Sequence, residues 1–467
     1  MGRLLATWRS WSVRRRLAVG GAAALVVVVG LLVAYLALKR PGDIRGREAA
    51  FEPKEEKEEK EIVNWPIYGY NDARTRYLAA KGVEPPFVDR FLFDAGALLE
   101  FSPILVEDTL YVLNKEAELF AIDSGNGKVK WKKDVGSLNA SSPAYADGRL
   151  FAVNLAPGQV IAMRAKDGKR LWTRPLPGRS ESSPVVQDGK VFLGVESGDV
   201  FALDAKTGKD VWHIETAGEV KAGPALHDGT LYVGDYAGHM YAIRASDGAI
   251  RWDTTDLGVG LGRSGRFYST SAIAFGRVYA GNADGRVYSF EASTGEIAWT
   301  VSTGAAVYAA PAVADTPDTP PTVYIGSADG SLYALNADTG DEIWSAEVGG
   351  LISGAGSVVG DIIYVSAVNT DSTKGFAIKS GEQVFGIGKG EYNPVISDGR
   401  RIYLTGYAGL TKLTPKKLAK EAKERKKAKR EKAGAEEGKP GKPGKAGRGK
   451  KPLGKKGGKR KKGSGPG

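Results

Sequence analysis

Six tryptophans recur through the middle of this chain, at Trp131, Trp172, Trp212, Trp252, Trp299 and Trp344, and Phe385 holds a seventh place in the same local pattern. The steps between them are 41, 40, 40, 47, 45 and 41 residues. Each aromatic stands four residues after a glycine, from Gly127 before Trp131 to Gly381 before Phe385. A period of this length restricts the chain to a solenoid or a propeller before any other reading.

The interior of one unit decides between them. Residues 183–217 read SPVVQDGKVFLGVESGDVFALDAKTGKDVWHIETA, short apolar alternations separated by Asp188-Gly189, Ser197-Gly198 and Thr207-Gly208. Such punctuation predicts four short strands joined by tight hairpins. The beat returns over 223–257, 270–304 and 310–348, with second- and third-strand aromatics nine apart in Phe192/Phe201, Tyr232/Tyr241, Tyr279/Tyr288 and Tyr324/Tyr333. No stretch between 98 and 413 carries a 3.6-residue apolar period, which excludes helical repeats. Four-stranded units of about forty residues are propeller blades.

Seven blades are complete by the glycine-plus-aromatic count. An eighth starts at Asn393 but runs into PKKLAKEAK before its fourth strand. Phe91-Leu92-Phe93-Asp94-Ala95-Gly96, far upstream, has the character of the missing strand. The expectation is an all-β, eight-bladed propeller over 62–414, closed by that segment so that no strand edge is left open. Seven blades is the alternative, with the last strands serving only as a cap.

Within this frame a resemblance becomes specific. Ala205-x-Thr207-Gly208-Lys209-x-x-Trp212, Ala292-x-Thr294-Gly295-Glu296-x-x-Trp299 and Ala337-x-Thr339-Gly340-Asp341-x-x-Trp344 resemble the tryptophan-docking motif of pyrroloquinoline-quinone-type propellers, as does Leu332-Tyr333-Ala334-Leu335. Asn64-Trp65-Pro66-Ile67-Tyr68-Gly69 with Thr75-Arg76-Tyr77 is similar to their opening segment. The family contains quinone dehydrogenases and non-catalytic relatives, the BamB-like propellers of outer-membrane assembly among them, so the resemblance implies the fold and leaves function open. It implies, for the dehydrogenases, a bound calcium, a catalytic aspartate and often a vicinal cysteine pair. This chain has no cysteine and three histidines, His213, His227 and His239, the latter two in turns of one blade and within reach of each other. Its Asp147, Asp188, Asp228 and Asp398 are accounted for by turn chemistry. No catalytic, cofactor-binding or metal residue is assigned. The seven recurring aromatics are assigned to blade docking, since one large ring per repeat buries area that a lone blade lacks.

Gly260-Leu261-Gly262-Arg263-Ser264-Gly265 has the letters of a dinucleotide fingerprint. The fingerprint needs a helix after it, and Phe267-Tyr268-Ser269-Thr270 reads as a strand, so nucleotide binding is rejected. The segment lengthens one repeat to 47 residues. Its Arg263, Arg266 and Tyr268 form a candidate anion or partner loop, with a plain solvated connector as the alternative.

Charge divides the chain further. Residues 416–467 carry 22 Lys and Arg against 5 Glu, and residues 1–47 carry nine against one, so in a chain of net +12 the remainder holds −13. Nucleic-acid binding by the body is therefore not expected. The uncharged run 17–38 would form a helix of about 33 Å, enough to cross a hydrocarbon core of roughly 30 Å. Five arginines precede it, which predicts a single-pass signal anchor with residues 1–16 cytoplasmic and the propeller extracytoplasmic. A cleaved signal peptide is the alternative. Residues 39–61 read as a charged linker, and 415–467 as a disordered basic tail suited to polyanions: an envelope polymer, lipid headgroups or nucleic acid. The combined expectation is a membrane-anchored, non-catalytic scaffold in the cell envelope that binds a protein or anionic polymer. A quinone-dependent dehydrogenase or quinone-binding sensor is the alternative.

Overall fold

The computed structural model describes residues 27–31, 63–258, 265–393 and 395–437. The chain divides into two compact units, Met1–Glu61 and Ile62–Gly467. In the first, residues 27–31 are helical, and the rest of the expected span 17–38 lies outside the described residues. Among the described residues, no helix is long and apolar enough to cross a membrane.

The second unit contains eight antiparallel sheets in ring order, each built as the hairpin pattern requires. In the third blade, Val185–Gln187, Lys190–Gly194, Asp199–Asp204 and Asp210–Glu215 pair in sequence, and Val191, Leu193, Val200 and Leu203 are fully buried. Asp188 and Gly189 both adopt positive φ, at 50° and 71°, the conformation a two-residue hairpin needs to match strand twist. The eighth sheet places Phe87–Asp94 as its outermost strand, antiparallel to Gly409–Pro415, with Phe91 opposite Thr411. The ring thus has eight blades, and the upstream segment closes it, starting four residues earlier than its aromatic signature.

The blades dock through the repeated aromatic. Trp172 Nε1 donates to Ala205 O of the next blade at 3.1 Å, Trp212 Nε1 to Ala245 O at 3.1 Å, and Trp344 Nε1 to Ile378 O at 2.9 Å. Trp131, Trp252 and Trp299 repeat this bond to Ala165, Ala292 and Ala337. Each indole also leans on the second-strand aromatic of its own blade, as Phe192 does on Trp212 with centroids 5.9 Å apart. Phe385 has no N–H to donate, and packs between Tyr364 and Phe87 instead. The closing blade uses no tryptophan. Leu92 meets blade one at Gly127, and Lys412 Nζ donates to Gly125 O.

From the second blade to the seventh, the glycine before each aromatic is required by the preceding blade's tryptophan. At Gly295, φ is +79° and an added Cβ would stand 2.6 Å from Trp252. Gly295→Ala is expected to cost roughly 2–5 kcal/mol, combining left-handed strain with overpacking. Urea denaturation checks this, and an unchanged midpoint would place the docking energy elsewhere.

The opening segment does more than lead into the ring. It curls through the channel and bonds to the innermost strand region of one blade after another. Trp65 exchanges hydrogen bonds with Leu105, Tyr145 N–H donates to Pro66 O, and Leu226 N–H to Asp72 O. Ile273, Val313 and Val358 N–H donate to Ala73, Thr75 and Arg76 carbonyls, and Tyr77–Leu78 adds a parallel strand to the seventh blade. These N–H groups face the channel, where no neighbouring strand can accept them, and the threaded backbone satisfies them. Blade three is reached by a side chain. Fully buried Arg74 donates to Ser183 O (2.9 Å), Pro184 O (3.1 Å), Pro224 O (3.2 Å) and Tyr68 O.

Three expectations are corrected here. The basic tail is not disordered from 415: Lys416–Glu437 is a helix, its first N–H held by Pro86 O at 2.9 Å, with good helix formers carrying it on. Residues 438–467 lie outside the described residues. Residues 267–270 are not a strand, because the N–H of Phe267 bonds to Asp235 O and Arg266 O accepts from Ala283, which spends this backbone on adjoining blade loops. His227 and His239 lie in strands rather than turns, and at opposite ends of their blade.

Candidate functional site

The two faces of the ring differ. Hairpin turns such as Asp188-Gly189 lie on one face, where the chain also enters and leaves: Asn64 Oδ1 accepts from Glu107 N–H at 2.7 Å, and Lys416 follows the last strand. On the other face, the loops that lead into the innermost strands of seven blades converge on a funnel of about 300 Å³. Tyr68, from the threaded segment, lies at its base. The funnel is a dead end, since the channel beneath is filled by the chain itself.

One register of the repeat recurs in the wall. Glu100, Glu181, Lys221 and Tyr308 each stand three residues before the proline that precedes an innermost strand, and Tyr268 stands three before Ser271 in the fifth blade, which, like the seventh, lacks that proline. The proline favours an extended approach to the strand, which turns the position three before it toward the axis. Sequence reasoning singled out Tyr268 and missed the others. Their signal was a repeated position whose chemistry changes from blade to blade, followed by two small residues in the third to sixth blades.

The aromatic lining forms two groups. Tyr68 packs edge-on to Phe101 at 5.3 Å, Tyr236 leans on Tyr268 at 6.2 Å, and Tyr268 meets Tyr308 edge-on at 6.1 Å. Tyr68 is fixed through its hydroxyl to Asn393 Oδ1 at 3.1 Å, while Asn393 Nδ2 donates to Glu100 O at 2.8 Å. Burial, with Glu181 and Glu100 nearby, drives the Tyr268 phenol well above its ordinary range, so it remains a donor. It donates to Glu181 Oε2 at 3.3 Å.

Charge is arranged unevenly around these rings. Lys221 Nζ bonds to Glu181 Oε1 at 3.1 Å and lies 3.4 Å from Glu196 Oε1, without hydrogen-bond geometry to the latter. Burial pulls its ammonium down, but the two carboxylates outweigh that and raise it. Glu100 is less well matched. Its nearest cation, half-exposed Lys115, is 3.9 Å away, and burial, with Glu181 across the funnel, raises its carboxyl above the usual range. Arg266 lies over the Tyr236 ring at 5.3 Å, so the inserted loop does contribute to this face. Arg263 lies outside the described residues.

Sequence comparison matches residues 90–219 and 197–417 to the family described as outer membrane protein assembly factor BamB. The chain belongs to this family. The BamB of Moraxella catarrhalis superposes with a TM-score of 0.57 at 20% identity, covering 70% of this chain and 98% of that one. A quinohemoprotein alcohol dehydrogenase from Pseudomonas putida superposes at 0.64 with 16% identity, covering 75% and 80%. Both show the shared propeller fold. The quinoprotein glucose dehydrogenase of Escherichia coli is 30% identical over 133 residues, 25% of this chain, and the match spans only 17% of that enzyme's length.

The funnel's donor set does not fit the quinone-and-calcium site of the dehydrogenase branch. An anionic quinone needs free cations in the wall, and Lys221 is already shared between two glutamates. Among the described residues, no three His, Cys, Asp or Glu side chains converge as metal ligands. His213 stacks on Phe201 at 5.3 Å, and His239 lies 3.4 Å from Asp253.

Proposed function

We propose that this chain is a membrane-anchored, extracytoplasmic propeller that binds a protein partner in its funnel and performs no chemistry on it. The observation that carries this reading is the division of faces. Both ends of the ring-forming chain leave from the hairpin-turn face, and the tyrosine-rich funnel opens on the other. The described chain thus enters the ring on the face opposite the funnel. Tyrosines that offer flat apolar area and a polar tip at little entropic cost are the material of recognition surfaces. The basic tail departs on the tethered face, where anionic headgroups or envelope polymer would meet it and add salt-dependent affinity.

A photo-crosslinking residue in place of Tyr308, at the funnel rim, tests this in intact cells. The same defined protein is expected to be trapped by the full chain and by a chain ending at 415. Loss of every crosslink with the tail, or recovery of polymer alone, would overturn the reading and make the tail the working part. The quinone alternative is tested by titrating pyrroloquinoline quinone with calcium into the purified protein. No saturable binding is expected, and stoichiometric uptake would overturn the scaffold reading.

A further inference from the structure

Three carboxylates and one ammonium are held close together around the funnel. Glu100, Glu181 and Glu196 have side chains 25%, 15% and 17% exposed, and Lys221 is 19% exposed. Of the other cations nearby, Lys115 and Arg179 are 48% and 59% exposed and Arg266 is exposed as well, where solvent screens them. Lys221 is committed to Glu181 and Glu196, which leaves Glu100 facing the cavity without a hydrogen-bonded partner for its carboxylate among the described residues. The rings show the same imbalance. Arg76 lies over Tyr68 at 4.7 Å, and Lys221 and Arg266 lie over Tyr236 at 5.4 and 5.3 Å. Phe101, Tyr268, Tyr308 and Tyr392 line the cavity with no such cation among the described residues.

We infer that the funnel takes a cationic side chain, arginine or lysine, from an exposed segment of a protein partner, with Glu100 as its counter-charge and the rings of Phe101, Tyr268 and Tyr308 as its walls. This rests on the reading of the funnel as the partner-binding face. A cation there supplies the missing charge for Glu100 and sits against free π-faces in a partly desolvated site, where cation–π attraction is strongest. An anion would meet Glu100 and Glu181, with Lys221 already shared between two glutamates and Arg266 exposed to solvent over Tyr236. A neutral side chain would leave the Glu100 charge unanswered.

Calorimetric titration of the full-length protein in detergent tests the assignment with Nα-acetylarginine amide, Nα-acetyllysine amide, the neutral isostere Nα-acetylcitrulline amide, and glutarate. The arginine amide is expected to bind saturably and at least about tenfold tighter than citrulline amide, the difference one well-placed charge contact makes. Glu100→Gln is expected to bring the arginine and citrulline amides to equal affinity with the thermal midpoint unchanged; Tyr308→Ala is expected to weaken both amides. Equal affinity for arginine and citrulline amides, tighter binding of glutarate, or no binding of either cationic amide up to about 10 mM would overturn the inference. The crosslinking at Tyr308 separates the two claims. A partner still trapped there while the cationic amides fail defeats the cation assignment alone, whereas loss of the crosslink defeats the funnel reading itself.

Discussion

A chain beginning at residue 96 is expected to elute as aggregate and to show no cooperative thermal transition, where a chain beginning at residue 62 gives a folded monomer. The truncation removes two things together. It strips the eighth blade of Phe87–Asp94, exposing the edge of Gly409–Pro415 as a pairing template. It also removes the threaded carbonyls and amide that meet the backbone of Leu105, Tyr145, Leu226, Ile273, Val313 and Val358. Six buried N–H groups left without acceptors, at about 1–3 kcal/mol each, amount to as much as the roughly 5–15 kcal/mol that stabilises a typical domain. Light scattering behind size exclusion, with a calorimetric scan, decides the matter. A cooperative monomer from residue 96 would mean that water satisfies the channel and that the ring closes without its last strand.

Arg74→Leu is expected to lower stability by about 3–5 kcal/mol, since four buried carbonyls lose their donor. Burial and the neighbouring Arg76 pull the Arg74 guanidinium below its ordinary pKa, with Asp72 opposing them, so the charge is held at a cost that its hydrogen bonds offset. Arg74→Lys separates charge from geometry. A lysine keeps the cation but has three donors on one nitrogen, and cannot span Tyr68, Ser183, Pro184 and Pro224 as the guanidinium fork does. It is expected to recover less than half the loss in urea midpoint at unchanged slope. Full recovery by lysine, or a loss under about 1 kcal/mol with leucine, would show that Arg74 fills space and does not pin the segment.

The blades themselves were legible from the chain because everything that makes one is local. Hairpin turns such as Asp188-Gly189, strands of five or six residues and the aromatic 33 to 40 residues before its acceptor carbonyl all fall within one repeat or its neighbour. Ring closure by Phe91-Leu92-Phe93 was legible for the same reason: an incomplete last blade leaves a defined deficit, and this was the stretch that matched it. Where local reasoning failed, a longer contact had overruled it. Phe267 and Tyr268 have the composition of a strand, but Asp235 and Glu181 hold them as part of the funnel wall. Lys416 onward has no apolar face to promise a stable helix, yet Pro86, more than three hundred residues upstream, fixes its first turn.

Periodicity by itself determined the blade architecture, the order of the blades and the residues that lock each to the next, because a repeat of forty residues with one docking aromatic per unit has few ways to bury its rings. The choice of eight over seven waited on the pairing of Phe87–Asp94 with Gly409–Pro415. Only the tertiary structure decided which residues work together. Glu100, Glu181, Lys221, Tyr268 and Tyr308 follow one another at steps of 40 to 81 residues along the chain and share a cavity because the ring brings one register of several blades to a common axis. The threading of Trp65 to Leu78 through that axis belongs to the same class of fact. Its hydrogen bonds go to strands from seven different repeats, a pairing that no local pattern encodes and that exists once the channel has formed around it.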